Sequence, residues 1–281
     1  MNPMFEILDF DANFTAYSES WIQMNKGKFK TFEEMEDAMP EVYMRWLNSP
    51  AAFLNGETPG GFFQKYSSAP ELVKWVRMYD AADVSVPDQL LDRITDLGEE
   101  SIKPLMYNAK QDSYPVSLRM LSLNLLKELD PGDEPYELCL NLIDRREEED
   151  ELADVAAELL TAIAKNHVPE LIDRLSEVSD VARETYLDIL CNYPGDERIF
   201  RAVLAEFEKR QDKTALYASF LGKLGDERAI PALVKALDRL EINYLDYMEV
   251  RDAIEELGGE CNHEREFAGD PYYETLKGDP Q

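Results

Sequence analysis

Gly225-Asp226-Glu227-Arg228-Ala229-Ile230-Pro231-Ala232-Leu233-Val234 is the stretch that decides how this chain folds. Thirty residues earlier stands Gly195-Asp196-Glu197-Arg198-Ile199-Phe200-Arg201-Ala202-Val203-Leu204, which opens on the same four residues. Walking back from Pro231, equivalent positions fall at Phe200, Pro169, Pro135 and Pro104, with spacings of 31, 31, 34 and 31. The composition of the motif has a physical reason. Glycine takes the left-handed conformation that ends one helix, aspartate accepts backbone N–H bonds at the start of the next, and proline is tolerated in a first helical turn whose donors are unpaired anyway. The stretch reads as a tight helix-to-helix turn.

The flanks supply the helices. Leu216, Tyr217, Phe220, Leu221 and Leu224 recur at three-to-four spacing before the turn, and Ile230, Leu233, Val234, Leu237 and Leu240 do so after it. The earlier unit repeats this with Leu152, Val155, Ala156, Leu159, Leu160 and Ile163, then Val168, Leu171, Ile172 and Leu175. One pair cannot bury its apolar face alone, whereas stacked pairs form a continuous core. The expected fold is therefore all-α: a solenoid of stacked antiparallel helix pairs, at least five between about Val84 and Leu240.

The string from Gly225 to Leu233 resembles the short bacterial HEAT-like repeat of the PBS-lyase type, and the thirty-one-residue period agrees. That resemblance implies an interaction scaffold, since family members mostly bind other proteins. It also keeps two other classes open, a tetrapyrrole-lyase-type chaperone and a DNA-glycosylase-type enzyme. Fold alone does not choose among them.

Three domains are expected. Residues 1–83 hold all three tryptophans and read as an atypical helical cap, with helices near 12–24, 31–48, 60–67 and 70–82. Within it, Trp46 to Pro59 is similar to the Trp-x-x-x-Pro, Leu-x-Gly-x-x-Pro pattern of the toxin-binding domain of Xre/MbcA/ParS-type antitoxins, which implies an antitoxin-like alternative for this segment. A structural account also covers it: Asn55-Gly56 turns, Thr58 caps, Pro59 enters a first turn, and Trp46 and Leu54 pack beneath. Residues 84–259 are the repeats plus a last helix from Tyr244 to Leu257. Residues 260–281 form a polar tail, either disordered or folded back through Phe267, Tyr272, Tyr273 and Leu276. The charged run Arg145 to Glu151 accounts for the one spacing of 34 and reads as a solvated loop, with an acidic docking patch as the alternative.

Lys and Arg total 29 against 58 Asp and Glu, a formal charge of −29. A field of that sign repels phosphate backbones and anionic headgroups, which makes nucleic acid an unlikely partner and membrane a poor one. No apolar run approaches the ~20 residues that span a bilayer. The first eleven residues carry Glu6, Asp9 and Asp11 and no base, unlike a secretory or transit peptide. Cys139, Cys191 and Cys261 read as reduced thiols, and a cytoplasmic protein is expected. Cys261-Asn262-His263 falls short of a zinc site, which wants four ligands. No nucleotide-binding or hydrolase motif occurs.

The expectation is thus a non-catalytic adaptor without cofactor or metal, a monomer or weak homo-oligomer, taking a peptide or protein on its solenoid surface. The candidate binding residues are the bases spread over the second helices of the pairs: Arg145, Arg174, Arg201, Lys235 and Arg239. Pro104, Pro135, Pro169, Gly195, Asp196, Gly225, Asp226, Arg228 and Pro231 are assigned to the turns that build the repeats.

Overall fold

The computed structural model describes residues 6–262 and 264–278, and no strand occurs among them. The chain divides into two compact units, residues 1–135 and 136–281. The first was expected to end near residue 83. It runs further because the aromatic segment shares its core with the first repeat helices instead of forming a separate cap.

Unit 1 comprises α1 (Phe10–Asn25), α2 (Phe32–Glu36), α3 (Met39–Leu47), two 3-10 helices (Ala52–Leu54 and Pro59–Lys65), α4 (Ala69–Ala81), α5 (Asp88–Asp96), α6 (Glu99–Lys110) and α7 (Val116–Glu128). α4 packs on α5 and α6, and the second 3-10 helix packs on α3 and α5. Phe10 is the centre of the aromatic core, with ring centroids of Trp46, Phe53, Phe62 and Phe63 between 5.5 and 6.2 Å away. The extended residues before α1 are stitched to α4: Trp75 Nε1 donates to the Glu6 carbonyl at 3.2 Å, and Tyr79 Oη donates to that of Leu8 at 3.1 Å.

Several local expectations change here. The single helix expected over 31–48 is two, α2 and α3. Pro40 has no N–H to offer the Glu36 carbonyl and its ring crowds that turn, so the helix stops at Glu36 and restarts with Pro40 in a new first turn. Asn55 and Gly56 do make the turn, at φ 54° and 92°, and Trp46 and Leu54 are buried. Thr58 holds the cap position but its hydroxyl caps no N–H. Pro104 is no turn residue either. It is the sixth residue of α6, the turn lying at Gly98, and the acceptor it forgoes is the carbonyl of the exposed Glu100.

Unit 2 comprises α8 (Tyr136–Asp144), α9 (Glu151–Ile163), α10 (Val168–Arg174), α11 (Asp180–Leu190), α12 (Glu197–Lys209), α13 (Thr214–Leu224), α14 (Ile230–Leu237), α15 (Tyr244–Glu256) and α16 (Pro271–Gly278). Odd-numbered helices α9 to α15 form one layer and even-numbered helices α8 to α14 the other. α8 packs on α9, α10 on α11, α12 on α13 and α14 on α15, while α9 meets α11 and α13 meets α15 within the odd layer. This is the stacked-pair arrangement of an α-solenoid. Its core holds much of the periodic set read from sequence, including Leu159, Leu160, Leu221 and Leu233, together with Leu187, Leu190 and Val250, all essentially inaccessible. Each such side chain contributes roughly 1.5–3 kcal/mol on burial. Leu240 departs from that set: α14 ends at Leu237, leaving Leu240 85% exposed.

Three of the odd-layer helices, α9, α11 and α15, begin on side-chain caps. Asp150, Ser179 and Asn243 accept from the backbone N–H of Ala153, Ala182 and Asp246. Part of the charged run 145–151 therefore has a local task, since Asp150 starts α9 and Arg146 reaches Asp154 at 2.9 Å and also bonds Thr185. α13 and α15 approach closely because Gly222 lacks a side chain. A Cβ there would strike the Glu256 carboxylate and lie 3.4 Å from Ala253 Cα.

Candidate interaction surface

The two Gly-Asp-Glu-Arg turns share one bonding pattern. Gly195 and Gly225 have φ of 102° and 68°, the region only glycine occupies without strain. Asp196 Oδ1 accepts the Arg198 backbone N–H at 2.9 Å, and Asp226 Oδ1 accepts that of Arg228 at 3.0 Å. In both, the arginine then folds its guanidinium back onto the same carboxylate, at 2.8 Å for Arg198 Nη2 and 2.6 Å for Arg228 Nη2. These hydrogen bonds hold the Asp196 and Asp226 carboxyls below the ordinary carboxylate range. Arg228 also bonds Glu197 at 2.8 Å and covers the Phe200 ring at 4.4 Å, so it joins one turn to the preceding one. Pro231 and Pro169 lie second in α14 and α10, Phe200 fourth in α12, and Pro135 immediately before α8.

An open cleft of about 600 Å³ lies between these turns, lined among others by Pro194, Glu197, Phe200, Leu224 and Arg228. Asp196, Glu197 and Asp226 are already paired with Arg198, Arg201 and Arg228, so the cleft reads as an acidic seam between repeats.

The five candidate bases do not converge. Arg174 is committed to structure: its guanidinium makes two hydrogen bonds to Asp144, which also accepts from Tyr186 Oη at 2.7 Å, tying α8, α10 and α11 together. Arg145 Nε donates to the Asn141 carbonyl and Arg201 pairs with Glu197 within its own helix. Arg239 lies 5.4 Å from the Phe207 ring centroid and Lys235 is exposed on α14. They occupy separate places on α10, α12 and α14 and just beyond the ends of α8 and α14, each with its own surroundings, and build no common basic groove.

Three of the four odd-layer helices carry carboxylates that the sequence reading did not single out, while α13 carries Lys223 and no acid. α9 presents Asp154 and Glu158, α11 presents Glu184 and Asp188, and α15 presents Glu249, Asp252 and Glu256. Neighbouring helices are linked at these residues. Arg146 spans Asp154 and Thr185, Lys223 of α13 bonds Asp188 at 2.8 Å, Lys213 bonds Glu184 at 3.3 Å, and Glu256 lies across Gly222. Burial, with Asp252 and Glu256 nearby, raises the Glu249 carboxyl above its ordinary value. The signal was present as acids at three-to-four spacing, but in a chain this acidic such pairs occur everywhere. Only the stacking shows which of them share a layer.

Chemistry-bearing groups are placed for packing. Cys139 and Cys191 are buried, and burial pushes both thiols up to about 12. His167 stacks on Tyr136 with ring centroids 3.8 Å apart, and both meet Glu170 Oε2. No group of three potential metal ligands occurs among the described residues, and His263 lies outside them. No helix among the described residues is long and apolar enough to cross a membrane.

The family model of the PBS lyase HEAT-like repeat matches residues 218–239, which span the second half of α13, the Gly225 turn and α14. No curated protein and no solved structure matches the chain. That match identifies a HEAT-like repeat at α13 and α14, and the two turns of one bonding pattern and the stacked helix pairs of unit 2 agree with a HEAT-like repeat architecture.

Proposed function

We propose that this protein is a non-catalytic interaction protein whose odd-layer face takes a Lys/Arg-rich segment of a partner protein. The carrying observation is the set of carboxylates on α9, α11 and α15: Asp154, Glu184 and Asp188 pair with Arg146, Lys213 and Lys223 and so fix the helices, while Asp252 and Glu256 on α15 stay exposed beside them. Such a face raises the local concentration of cationic segments and orients them along the stack. The burial of Cys139 and Cys191 and the pairing of Asp196, Glu197 and Asp226 with arginines at the seam support the non-catalytic part of the reading.

A fluorescently labelled Lys/Arg-rich peptide tests it. Reversing Glu158 and Asp252 to Lys should weaken binding about tenfold or more, whereas reversing Glu208 and Asp238 should change it little. Equal loss from both pairs would reduce the effect to net charge and sink the proposal. A low-salt gel shift with duplex DNA addresses the glycosylase-type alternative, and a shift would favour it.

A further inference from the structure

The segment from Glu264 to Leu276 carries an inference independent of the acidic face. It folds back onto the end of the stack and is fastened there at three places. Arg265 donates to the Leu237, Arg239 and Leu240 carbonyls, the otherwise unpaired acceptors at and beyond the end of α14. Phe267 is only 7% exposed and packs on Tyr244 and Tyr247, with centroids 5.5 and 4.9 Å away. Asp270 accepts the backbone N–H groups of Tyr244, Tyr272 and Tyr273. The contacts to residues 237–247 cover the end of α14 and the start of α15, the last helix pair of the stack.

We infer that this segment is a strap that closes the end of unit 2 against a second copy of the chain. Unit 2 is built from helix pairs that stack on one another, so an uncovered last pair presents the kind of surface that the chain's own units bind. The apolar side chains beside the strap fit that role: Leu240 is 85% and Leu245 52% exposed, flanking Tyr244. With the strap lifted, Tyr244, Tyr247 and these leucines form an apolar patch, and the same patch on a second copy matches it in a two-fold contact.

Light scattering after size exclusion, over a wide range of concentration, tests the strap on the full chain. Wild type should run at the mass of one chain. The Phe267→Ala/Asp270→Ala variant should approach two chain masses as concentration rises, and adding Leu240→Glu and Leu245→Glu should return it to one. The inference fails if the strap variant keeps native helical circular dichroism and stays at one chain mass, or if wild type already associates to the same extent. Should that variant lose its helical signal, the milder Arg265→Gln decides, since it leaves Phe267 in place. It should associate measurably more than wild type, and an unchanged mass overturns the inference.

Discussion

Arg228 reaches back thirty-one residues to Glu197 and closes a 2.8 Å hydrogen bond between consecutive repeat turns. Both side chains are about half exposed, at 57% and 45%, so solvent screens the pair. Arg228→Ala should therefore lower the melting temperature by less than about 2 °C. A much larger drop would mean that the seam is held mainly by this one residue.

Asp144 should behave differently, because its partners Arg174 and Tyr186 bind it in a partly buried site. Asp144→Ala leaves the guanidinium uncompensated, and a loss of about 2–3 kcal/mol is expected from chemical denaturation. Burial alone would raise this carboxyl, but the Arg174 and Tyr186 hydrogen bonds and the guanidinium charge outweigh it and hold it below its ordinary value. A depressed carboxyl stabilises the fold above its unfolded pKa, and that contribution is lost as pH falls through the folded value. The wild type should thus lose more stability than Asp144→Ala below about pH 4.

Asn108 is 1% exposed in α6, and neither polar atom of its side chain has a hydrogen-bond partner among the described residues. Replacing it by leucine removes a buried amide and keeps the branched shape, with somewhat bulkier methyl groups. Stability should rise by on the order of 1–2 kcal/mol. A lower melting temperature would count against this assignment.

Gly222 sits inside α13, where alanine ordinarily stabilises by roughly 0.5–1 kcal/mol. The Cβ would displace only the mobile end of Glu256 and otherwise touch Ala253 at ordinary distance. Gly222→Ala should stay within about 1 kcal/mol of wild type, whereas Gly222→Leu, driven into α15, should cost about 1–3 kcal/mol or more. Equal effects would contradict the close approach.

Thiol labelling gives a further check. Cys139 and Cys191 are buried with pKa values near 12, while Cys261 is half-exposed. One thiol should react quickly in native protein and the other two only on unfolding. Three fast thiols would contradict the burial.

The repeat turn was legible in the sequence because its signals are local. Gly225, Asp226 and Pro231 each act within a few residues of themselves, and the structure gives them the expected conformations and bonds. Pro104 was misplaced because its spacing matched the period while its helix had already started at Glu99. The bases Arg174 and Arg201 looked available because their partners were unknown. Asp144 lies thirty residues from Arg174, and only packing brings them together. The acidic face was hidden for the same reason.

The stitching of residues 6–9 to α4 bears on the order in which the chain acquires structure. Tyr79 and Leu8 are seventy-one residues apart, so during synthesis Leu8 emerges long before its partner exists. Closing a loop of that length is slow beside the formation of neighbouring helix pairs. Unit 2, whose turns are complete within a few residues, should be assembled by short-range steps. The aromatic core around Phe10 is then the slow part of folding, and its rings are the surface most in need of shielding in a half-made chain.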